Sequence, residues 1–417
     1  MLSSFRKRPA ARAAAAGTGA LAAAAIGTTA DAAQYYYQPI ASLSAGYNTN
    51  TDLDPVTKTG AVSYLADVAT NFGIATQRSE TVLQPRLVYN YYPTITRRNR
   101  LEGFLNMNTR YSWERDRFTL NGFFDHRDDV NAEQPSAVDN PVNPGVGENT
   151  PSSGITQRGI VRNYTILDPT FVHLLTPLSS IGVSGDYQRM DYSPSDASSH
   201  ADFNYYQGRL FYAKTIDLRT DVAFGAYGSR YQSDTADSHA NSYGLQANGG
   251  YNWSQVLRSD LTVQWQRTHF EQDKVQDGVP FTVDAHSNPW AANLNTTYKA
   301  QASSYHLNFG RAIYPGSTGG LYRTDQIRGQ YDRDFTERLE FTGAVRYFRQ
   351  RTIVGSAGDD TRKYGTATVR MQYMMTQTFF VAGSYTYVWQ KYHGVDAAYS
   401  NNFLVSFGYR GINRQTR

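Results

Sequence analysis

Polar and apolar side chains alternate with a period of two through nearly the whole chain beyond residue 32. Leu339, Phe341 and Val345, for example, share one face of a predicted strand, while Glu340 and Arg346 share the other. The same pattern recurs in the stretches 100–113, 257–266 and 379–390. Successive side chains of a strand point to opposite faces of a sheet, whereas those of a helix repeat about every 3.6 residues. The alternation therefore predicts an all-β fold.

The apolar faces are rich in aromatic residues: the chain has 32 Tyr and 20 Phe, yet its mean hydropathy is -0.55. A membrane helix needs about 20 consecutive apolar residues, whereas a membrane strand meets lipid only with every second side chain. A soluble β-sandwich also alternates, but it rarely ends its apolar face in Tyr or Trp, which form interfacial girdles in membrane barrels. We therefore predict a transmembrane antiparallel up-and-down β-barrel whose charged face encloses water.

Segment counting predicts about 18 strands, with 16 as the alternative. The predicted strands begin near Ile40, Ala61, Thr81, Leu101, Phe118, Ile160, Ser180, Phe203, Leu218, Ser242, Leu257, Ala291, Ser304, Tyr322, Leu339, Tyr364, Phe379 and Asn401. Short connections alternate with longer polar ones, for example 273–289. In outer-membrane barrels the short turns are periplasmic, the long loops are external, and an even strand number leaves both termini in the periplasm.

The N-terminal segment differs in composition from the rest of the chain. Arg6, Lys7 and Arg8 precede an alanine-rich apolar run, which ends in the small-residue pattern Ala30-Asp31-Ala32. This arrangement predicts a cleaved signal peptide over residues 1–32 and a single barrel over residues 33–417. The absence of cysteine excludes a lipid-anchoring cysteine and a disulfide framework.

The composition offers no sign of nucleic-acid binding or catalysis. The 40 Lys and Arg nearly balance the 36 Asp and Glu, which excludes the strongly basic footprint of a nucleic-acid-binding protein. No nucleophile elbow, phosphate loop, dinucleotide fingerprint or zinc-ligand spacing is present. The eight histidines are scattered, so we predict no metal site, no cofactor and no enzyme activity. Ser304 and His306 share a strand face, which we predict to line the lumen.

The charged faces of the strands predict the lining of the lumen. The candidate residues are Arg86, Arg100, Glu102, Arg110, Asp125, Arg219, Asp221, Arg258, Asp260, Arg338, Glu340, Arg346 and Arg370. Charges of both signs facing water create a transverse field that orients polar solutes without selecting strongly for one charge. The alternative is that these residues pair across the wall and only hold the barrel in shape.

The longest predicted connection, residues 131–159, is rich in Pro, Gly, Asn and Asp, and no strand or helix fits it. Two structures are compatible with a long external loop of this kind. It either folds inward as a constriction or covers the mouth, or it remains an irregular loop outside the barrel.

The last predicted strand carries Phe403, Val405, Phe407 and Tyr409 on one face. This face resembles the terminal signal by which outer-membrane barrels are recognised, which ends aromatic-x-aromatic. The sequence departs from that signal in the additional tail 411–417. The tail leaves the register in which the barrel closes undetermined.

Three stretches carry a resemblance to a known family. Residues 41–50 (ASLSAGYNTN), 84–91 (QPRLVYNY) and 331–339 (YDRDFTERL) resemble strand and turn patterns of the β-barrel porin 2 family, also described as exopolysaccharide-operon-associated outer-membrane proteins. The resemblance implies an outer-membrane channel of a Gram-negative bacterium, through which an exopolysaccharide leaves the cell. It defines no catalytic residues.

Three functions remain open at this stage: an exopolysaccharide conduit, a general diffusion porin for small hydrophilic solutes, and a structural or adhesive barrel with a plugged lumen. Fold alone does not choose among them. The expected partners are outer-membrane lipid and lipopolysaccharide, a polysaccharide or small hydrophilic solute, and a periplasmic polysaccharide-export protein, but no nucleic acid.

Overall fold

Antiparallel strands pair with their neighbours along the chain until the sheet meets itself, which produces a closed 18-stranded barrel in the computed structural model. The structure describes residues 33–137, 159–193, 200–276, 279–354, 362–412 and 414–416, so the predicted signal peptide lies outside the described residues. No helix in these ranges is long and apolar enough to cross a membrane.

The first nine barrel strands are β1 (Gln34–Asn48), β2 (Ala61–Ala75), β3 (Ser79–Tyr91), β4 (Arg100–Ser112), β5 (Asp116–Asp128), β6 (Val161–Thr176), β7 (Ser179–Ser193), β8 (Phe203–Thr215) and β9 (Thr220–Ser233). The other nine are β10 (Ser238–Asn252), β11 (Leu257–Gln276), β13 (Trp290–Lys299), β14 (Ser303–Gly316), β15 (Gly320–Thr336), β16 (Leu339–Val354), β17 (Arg362–Met374), β18 (Phe379–Lys391) and β19 (Ala398–Arg410). Two short strands are added to the wall, β12 (Val279–Ser287) and β20 (Arg414–Thr416). A single-turn helix, α1 (Asp129–Ala132), follows β5, and a 3-10 turn (Thr96–Arg98) precedes β4.

Each predicted strand corresponds to one strand of the barrel, and the predicted fold class is confirmed. Tight turns join the strands at one end of the barrel, which we call the turn end. The first residue of β1 and the last residue of β19 also lie at this end. The longer connections lie at the other end, which we call the loop end. The prediction of a long connection over 273–289 is wrong, because β11 continues to Gln276 and β12 pairs back against it as a hairpin.

The barrel closes through β1 and β19. The register runs from Ile40 opposite Arg410 to Asn48 opposite Asn402. The C-terminal tail continues along the same edge: the Gly411 amide donates to the Pro39 carbonyl, and β20 pairs with the first turn-end residues of β1. Pairing of the tail therefore extends the seam and covers part of the β1 edge, whose unpaired amides would be costly beside lipid.

The outer surface of the barrel is an apolar band between two aromatic girdles. Exposed residues of the band include Leu43, Val68, Leu210, Leu245, Val345 and Val405. The girdle near the loop end includes Tyr47, Tyr64, Tyr243, Trp265, Trp290 and Tyr347, and that near the turn end includes Tyr35, Trp113, Tyr212, Trp253, Tyr373 and Tyr409. A soluble protein rarely exposes so continuous an apolar surface, whereas a membrane barrel requires it.

Some glycines of the inner face make room for aromatic rings on the neighbouring strand. Gly408 stands directly opposite Phe380, and a Cβ added to Gly408 would lie 2.2 Å from the Phe380 ring. The ring is buried at 4 % exposure, so it packs flat over the glycine backbone. Glycine is therefore required here for packing rather than for backbone conformation.

We expect Gly408→Ala to lower the free energy of unfolding by about 1–3 kcal/mol, because the added methyl forces the Phe380 ring out of its site. Gly383→Ala is the matched control on the adjacent strand, since a Cβ at Gly383 meets nothing within 4 Å. Urea unfolding in lipid vesicles measures both variants. Equal stability of the two variants would contradict the packing role of Gly408.

Candidate functional site

The chain leaves the wall after β5 and enters the barrel. We call residues Asp129–Ala137 the crossing segment; it contains α1 and the first described residues of the predicted loop 131–159. The Asp128 carboxylate caps α1 by accepting from the Val130 amide at 3.1 Å. Glu133 and Ala137 are both 0 % exposed, which only an interior position allows. The inward orientation that the sequence left open is therefore observed for residues 131–137, while residues 138–158 lie outside the described part of the chain.

The far end of the crossing segment is held by β15, β16 and β17. The Tyr364 hydroxyl donates to the Pro135 carbonyl at 3.1 Å, and Arg328 Nε donates to the Ala137 carbonyl at 2.9 Å. Arg346 Nη1 reaches the Ser136 carbonyl at 3.5 Å. β15 is separated from β5 by the same number of strands in either direction around the barrel, so the segment spans the lumen from one wall to the opposite wall.

Arg362 of β17 makes the strongest of these contacts. Its Nη1 lies 3.0 Å from Glu133 Oε2, its Nη2 donates to the Glu133 carbonyl, and the two side chains are 2 % and 0 % exposed. The guanidinium also lies against the Phe348 and Tyr364 rings, 5.5 and 5.1 Å from their centroids. Removing one partner of a buried ion pair is costly, because it takes away the opposite charge that stabilises the other.

The near end of the crossing segment is anchored by acidic and imidazole groups. Glu102 Oε1 accepts from Asn131 Nδ2 at 2.7 Å, and His200 Nε2 lies 3.3 Å from Asp129 Oδ2 with both side chains fully buried. Beside them, Asp125 Oδ2 lies 2.7 Å from Arg162 Nη2, again with neither side chain exposed. These contacts make the loop-end half of the lumen a packed region.

A second connection, between β1 and β2, also turns inward. Asp52 lies 3.0 Å from Arg98 Nη1, and the Leu53 carbonyl accepts from Gln390 Nε2 at 3.2 Å. Together with Val130 of α1 and the β18–β19 connection, this turn lines a cavity of about 470 Å³ at the loop end. The volume is within the range of small-molecule sites.

Two tyrosines in the connections beside the crossing segment are kept neutral. Burial raises the pKa of Tyr392 above its ordinary value, with Arg362 opposing the shift. Burial likewise raises the pKa of Tyr92, which Arg98 opposes. Both phenols therefore remain protonated at physiological pH and add no negative charge to this region.

The turn-end half of the lumen is open to water. Arg258 Nη2 lies between two carboxylates, 3.0 Å from Asp221 Oδ1 and 2.6 Å from Asp260 Oδ1, and all three side chains are 39–49 % exposed. Near the middle of the wall, the partly exposed Arg86 pairs with Asp67 at 3.0 Å. Charges of both signs thus face a solvated space, and they also pair with one another along the wall.

The predicted lining residues separate into three groups. Arg100, Glu102, Asp125 and Arg346 lie in the packed half. Arg110, Asp221, Arg258, Asp260, Glu340 and Arg370 lie on the inner face nearer the turn end, where Gln372 links Glu340 and Arg370 by hydrogen bonds of 3.0 and 2.7 Å. Arg86 belongs to the same solvated inner face but lies at the middle of β3. Arg219 and Arg338 lie outside the strands, in the exposed turns before β9 and β16. The alternation had placed each arginine on a strand, but each strand begins one residue after it.

Sequence reasoning missed the residues that hold the crossing segment and the buried ion pair beside it. Arg162 and Arg362 stand at the loop-end tips of β6 and β17, and Glu133 lies in a segment without periodicity. Residues at strand tips resemble ordinary solvated loop charges. An arginine at a strand tip is a weak signal that gains meaning only when its buried partner is known. That partner is Asp125 of the adjacent strand β5 for Arg162 and Glu133 of the crossing segment for Arg362.

Ser304 and His306 lie on the inner face of β14 as predicted, but they bind separate partners. Ser304 Oγ donates to Asp332 Oδ2 at 3.4 Å, while His306 Nδ1 lies 3.4 Å from Thr297 Oγ1. This arrangement lacks the serine-to-histidine contact that nucleophilic catalysis requires.

No protein-family model and no curated protein matches the chain. Among solved structures, the chain is similar to OccK2 (OpdF) of Pseudomonas aeruginosa in complex with glucuronate, with a TM-score of 0.43 and 9 % identity over 90 % of this chain and 98 % of that one. It is similar to OccAB3 of Acinetobacter baumannii, with a TM-score of 0.41 and 10 % identity over 90 % and 99 % of the two chains. It is also similar to the ferric-catecholate import receptor Fiu of E. coli K12, with a TM-score of 0.42 and 9 % identity over 88 % and 81 %. At these identities the likeness says nothing about cargo.

Proposed function

We propose that the protein is a channel of a Gram-negative outer membrane and that hydrophilic solutes pass through a lumen narrowed by the crossing segment. The observation that carries this proposal is the contrast between the two halves of the lumen. The turn-end half is lined by exposed charges, while the loop-end half is crossed by a segment fixed to both walls. A channel acts by binding and passage alone, so no catalytic residue is required.

Placement in a membrane rests on the outer surface. The apolar band, with Leu43, Val345 and Val405, is exposed in the part of the chain that the structure describes. A closed barrel with such a surface is suited to lipid. In this arrangement the turn end faces the periplasm and the loop end faces the exterior.

Small solutes fit the lumen better than a polymer does while the crossing segment is docked. The segment passes from β5 to β17 through the interior, and its Glu133 carboxylate is inaccessible to water. A hydrated glycan chain would require the segment to move aside. The pairing of Arg258 with Asp221 and Asp260 favours polar solutes of either charge sign over a strongly selected ion.

Exopolysaccharide export is the second candidate, and the resemblance of residues 41–50 and 331–339 to the β-barrel porin 2 family favours it. A barrel of this strand number is wide enough for an aqueous pore once the crossing segment is displaced. Deletion of the gene separates the two candidates. Loss of surface polysaccharide with normal solute uptake supports export, whereas slower uptake with normal polysaccharide supports the diffusion channel.

The channel proposal predicts measurable conductance and a defined response to charge. The mature protein in planar bilayers is expected to open in discrete steps with little ion selectivity. Asp221→Asn combined with Asp260→Asn leaves Arg258 unpaired, so the reversal potential in a KCl gradient is expected to shift toward that of chloride. Glu114→Gln, in the exposed β4–β5 turn, is the control and should leave the reversal potential unchanged. Absence of conductance both in the wild-type protein and after release of the crossing segment would contradict the proposal.

A further inference from the structure

Three potential metal ligands meet on the outer face of the β11–β12 hairpin, at the loop end beyond the aromatic girdle. His269 of β11 stands directly opposite His286 of β12, and Glu271 stands opposite Asp284. On the other side of β11, the pairing with β10 places His239 opposite Glu271. Side chains directly opposite each other on neighbouring strands are in contact range, so the register alone gathers these groups.

The distances within this cluster are short. Asp284 Oδ1 lies 3.0 Å from His269 Nε2 and 3.8 Å from His286 Nε2, and one ligand atom from each of the three residues lies within 4.8 Å of the others. The two imidazole rings stack with centroids 4.5 Å apart. Zinc binds imidazole nitrogen and carboxylate oxygen at about 2.0–2.2 Å, so two ligands of one tetrahedral ion lie about 3.4 Å apart. The two distances from Asp284 to the histidines bracket this value.

From this geometry we propose that His269, His286 and Asp284 form a binding site for a divalent transition-metal ion of the Zn²⁺ class. Two imidazoles with one carboxylate suit zinc, copper or nickel, whereas calcium and magnesium prefer oxygen ligands throughout. The three side chains are 39 %, 61 % and 60 % exposed, so an ion reaches them from the external solution and the fourth position remains open to water.

Neighbouring groups support this ligand set. Glu271 Oε1 lies 3.4 Å from His269 Nε2, while its Oε2 lies 3.3 Å from His239 Nε2. A carboxylate in this position adds negative potential beside the ion and restrains the His269 ring, as outer groups of metal sites commonly do. An ion bound by β11 and β12 together would cross-link the hairpin that extends beyond the barrel wall.

The test is titration of the full mature protein, purified without a polyhistidine tag in a non-coordinating buffer, with Zn²⁺ followed by isothermal titration calorimetry. We expect one Zn²⁺ per chain, with Ca²⁺ failing to compete. His269→Ala and His286→Ala should each weaken Zn²⁺ binding by about tenfold or more, since each removes a ligand. His173→Ala is the matched control, because His173 is similarly exposed and lies beside Asp116 at the turn end, far from the β11–β12 hairpin.

The proposal is overturned if the wild-type protein binds no Zn²⁺, or if the two ligand variants bind it as tightly as the His173→Ala variant does. Heat-dependent mobility in gel electrophoresis verifies that each variant forms the folded barrel. Since the three ligands lie outside the lumen and the conductance of the barrel does not depend on them, the result is independent of the channel proposal.

Discussion

Replacing Arg362 with alanine is expected to raise the single-channel conductance about twofold or more, because it releases the crossing segment from β17. Arg362 binds both the carboxylate and the main-chain carbonyl of Glu133, in a place that water does not reach. Breaking a buried ion pair by removing one partner costs about 3–5 kcal/mol. The alanine variant removes the opposite charge that lies 3.0 Å from the buried Glu133 carboxylate, and the undocked position, where the carboxylate meets water, becomes favoured.

The size of this effect follows from a two-state argument. A change of about 1.4 kcal/mol alters the ratio of docked to undocked segment about tenfold, so a loss of about 3–5 kcal/mol alters it by about two to nearly four orders of magnitude. Tyr364, Arg328 and Arg346 contact carbonyl groups of the crossing segment, which water can satisfy after undocking. Glu133→Ala should therefore give a similar increase, and the double variant should add little to either single change.

Arg189→Gln is the matched control for this experiment. Arg189 also pairs with a carboxylate, that of Asp191, at 2.9 Å, but the two side chains are 54 % and 39 % exposed on β7. Exposed pairs contribute about 0–1 kcal/mol, so the conductance should remain that of the wild type. A folded Arg362→Ala barrel with unchanged conductance would show that the crossing segment is not the constriction.

Val405→Arg is expected to impair assembly of the barrel, whereas Ser406→Arg, one residue further along β19, is expected to be tolerated. Val405 is 62 % exposed on the apolar band, midway between Tyr399 and Tyr409, and an arginine there would face the middle of the bilayer. Such a substitution costs about 2–4 kcal/mol at the midplane of a membrane barrel. Ser406 faces the interior, where its hydroxyl lies 2.8 Å from that of Ser44, and an arginine there can reach water in the lumen.

The measurement is the fraction of folded protein after refolding into lipid vesicles, followed by urea unfolding of the folded fraction. The two variants introduce the same residue on the same strand, so a difference in their folded fraction or stability is due to the face of the sheet that carries the arginine. If both variants fold equally well in vesicles, or if Ser406→Arg is the more damaging change, the outer face of the strand is not in lipid.

Much of the fold could be predicted from the sequence, because a barrel strand records its two environments in successive residues. The alternation of Leu339 and Phe341 with Glu340 identified the outer and inner faces of β16 without any knowledge of its neighbours. The alternation of tight turns and longer connections then predicted which end of each strand lies at the turn end and which lies at the loop end. These signals are local, and each strand repeats them independently.

The hairpin β11–β12 and the closing tail were less predictable. Residues 273–289 do contain an alternating run, Val279, Phe281, Val283 and Ala285, but it is short and lies among polar residues, glycine and prolines, so the stretch resembled a polar connection. The closing register depended on the Gly411 amide meeting the Pro39 carbonyl, a contact between the two ends of the chain.

The sequence by itself determined the class of fold, the number of strands and the face that each strand turns to lipid, because these depend on periodicity within single segments. Only the tertiary structure decided what occupies the interior and which distant residues meet. The pairing of Glu133 with Arg362 and that of His269 with His286 join residues from different segments. Closure of the barrel brings the first pair together across the lumen, and strand register brings together the second. Neither pairing produces a periodic pattern in the sequence from which it could be predicted.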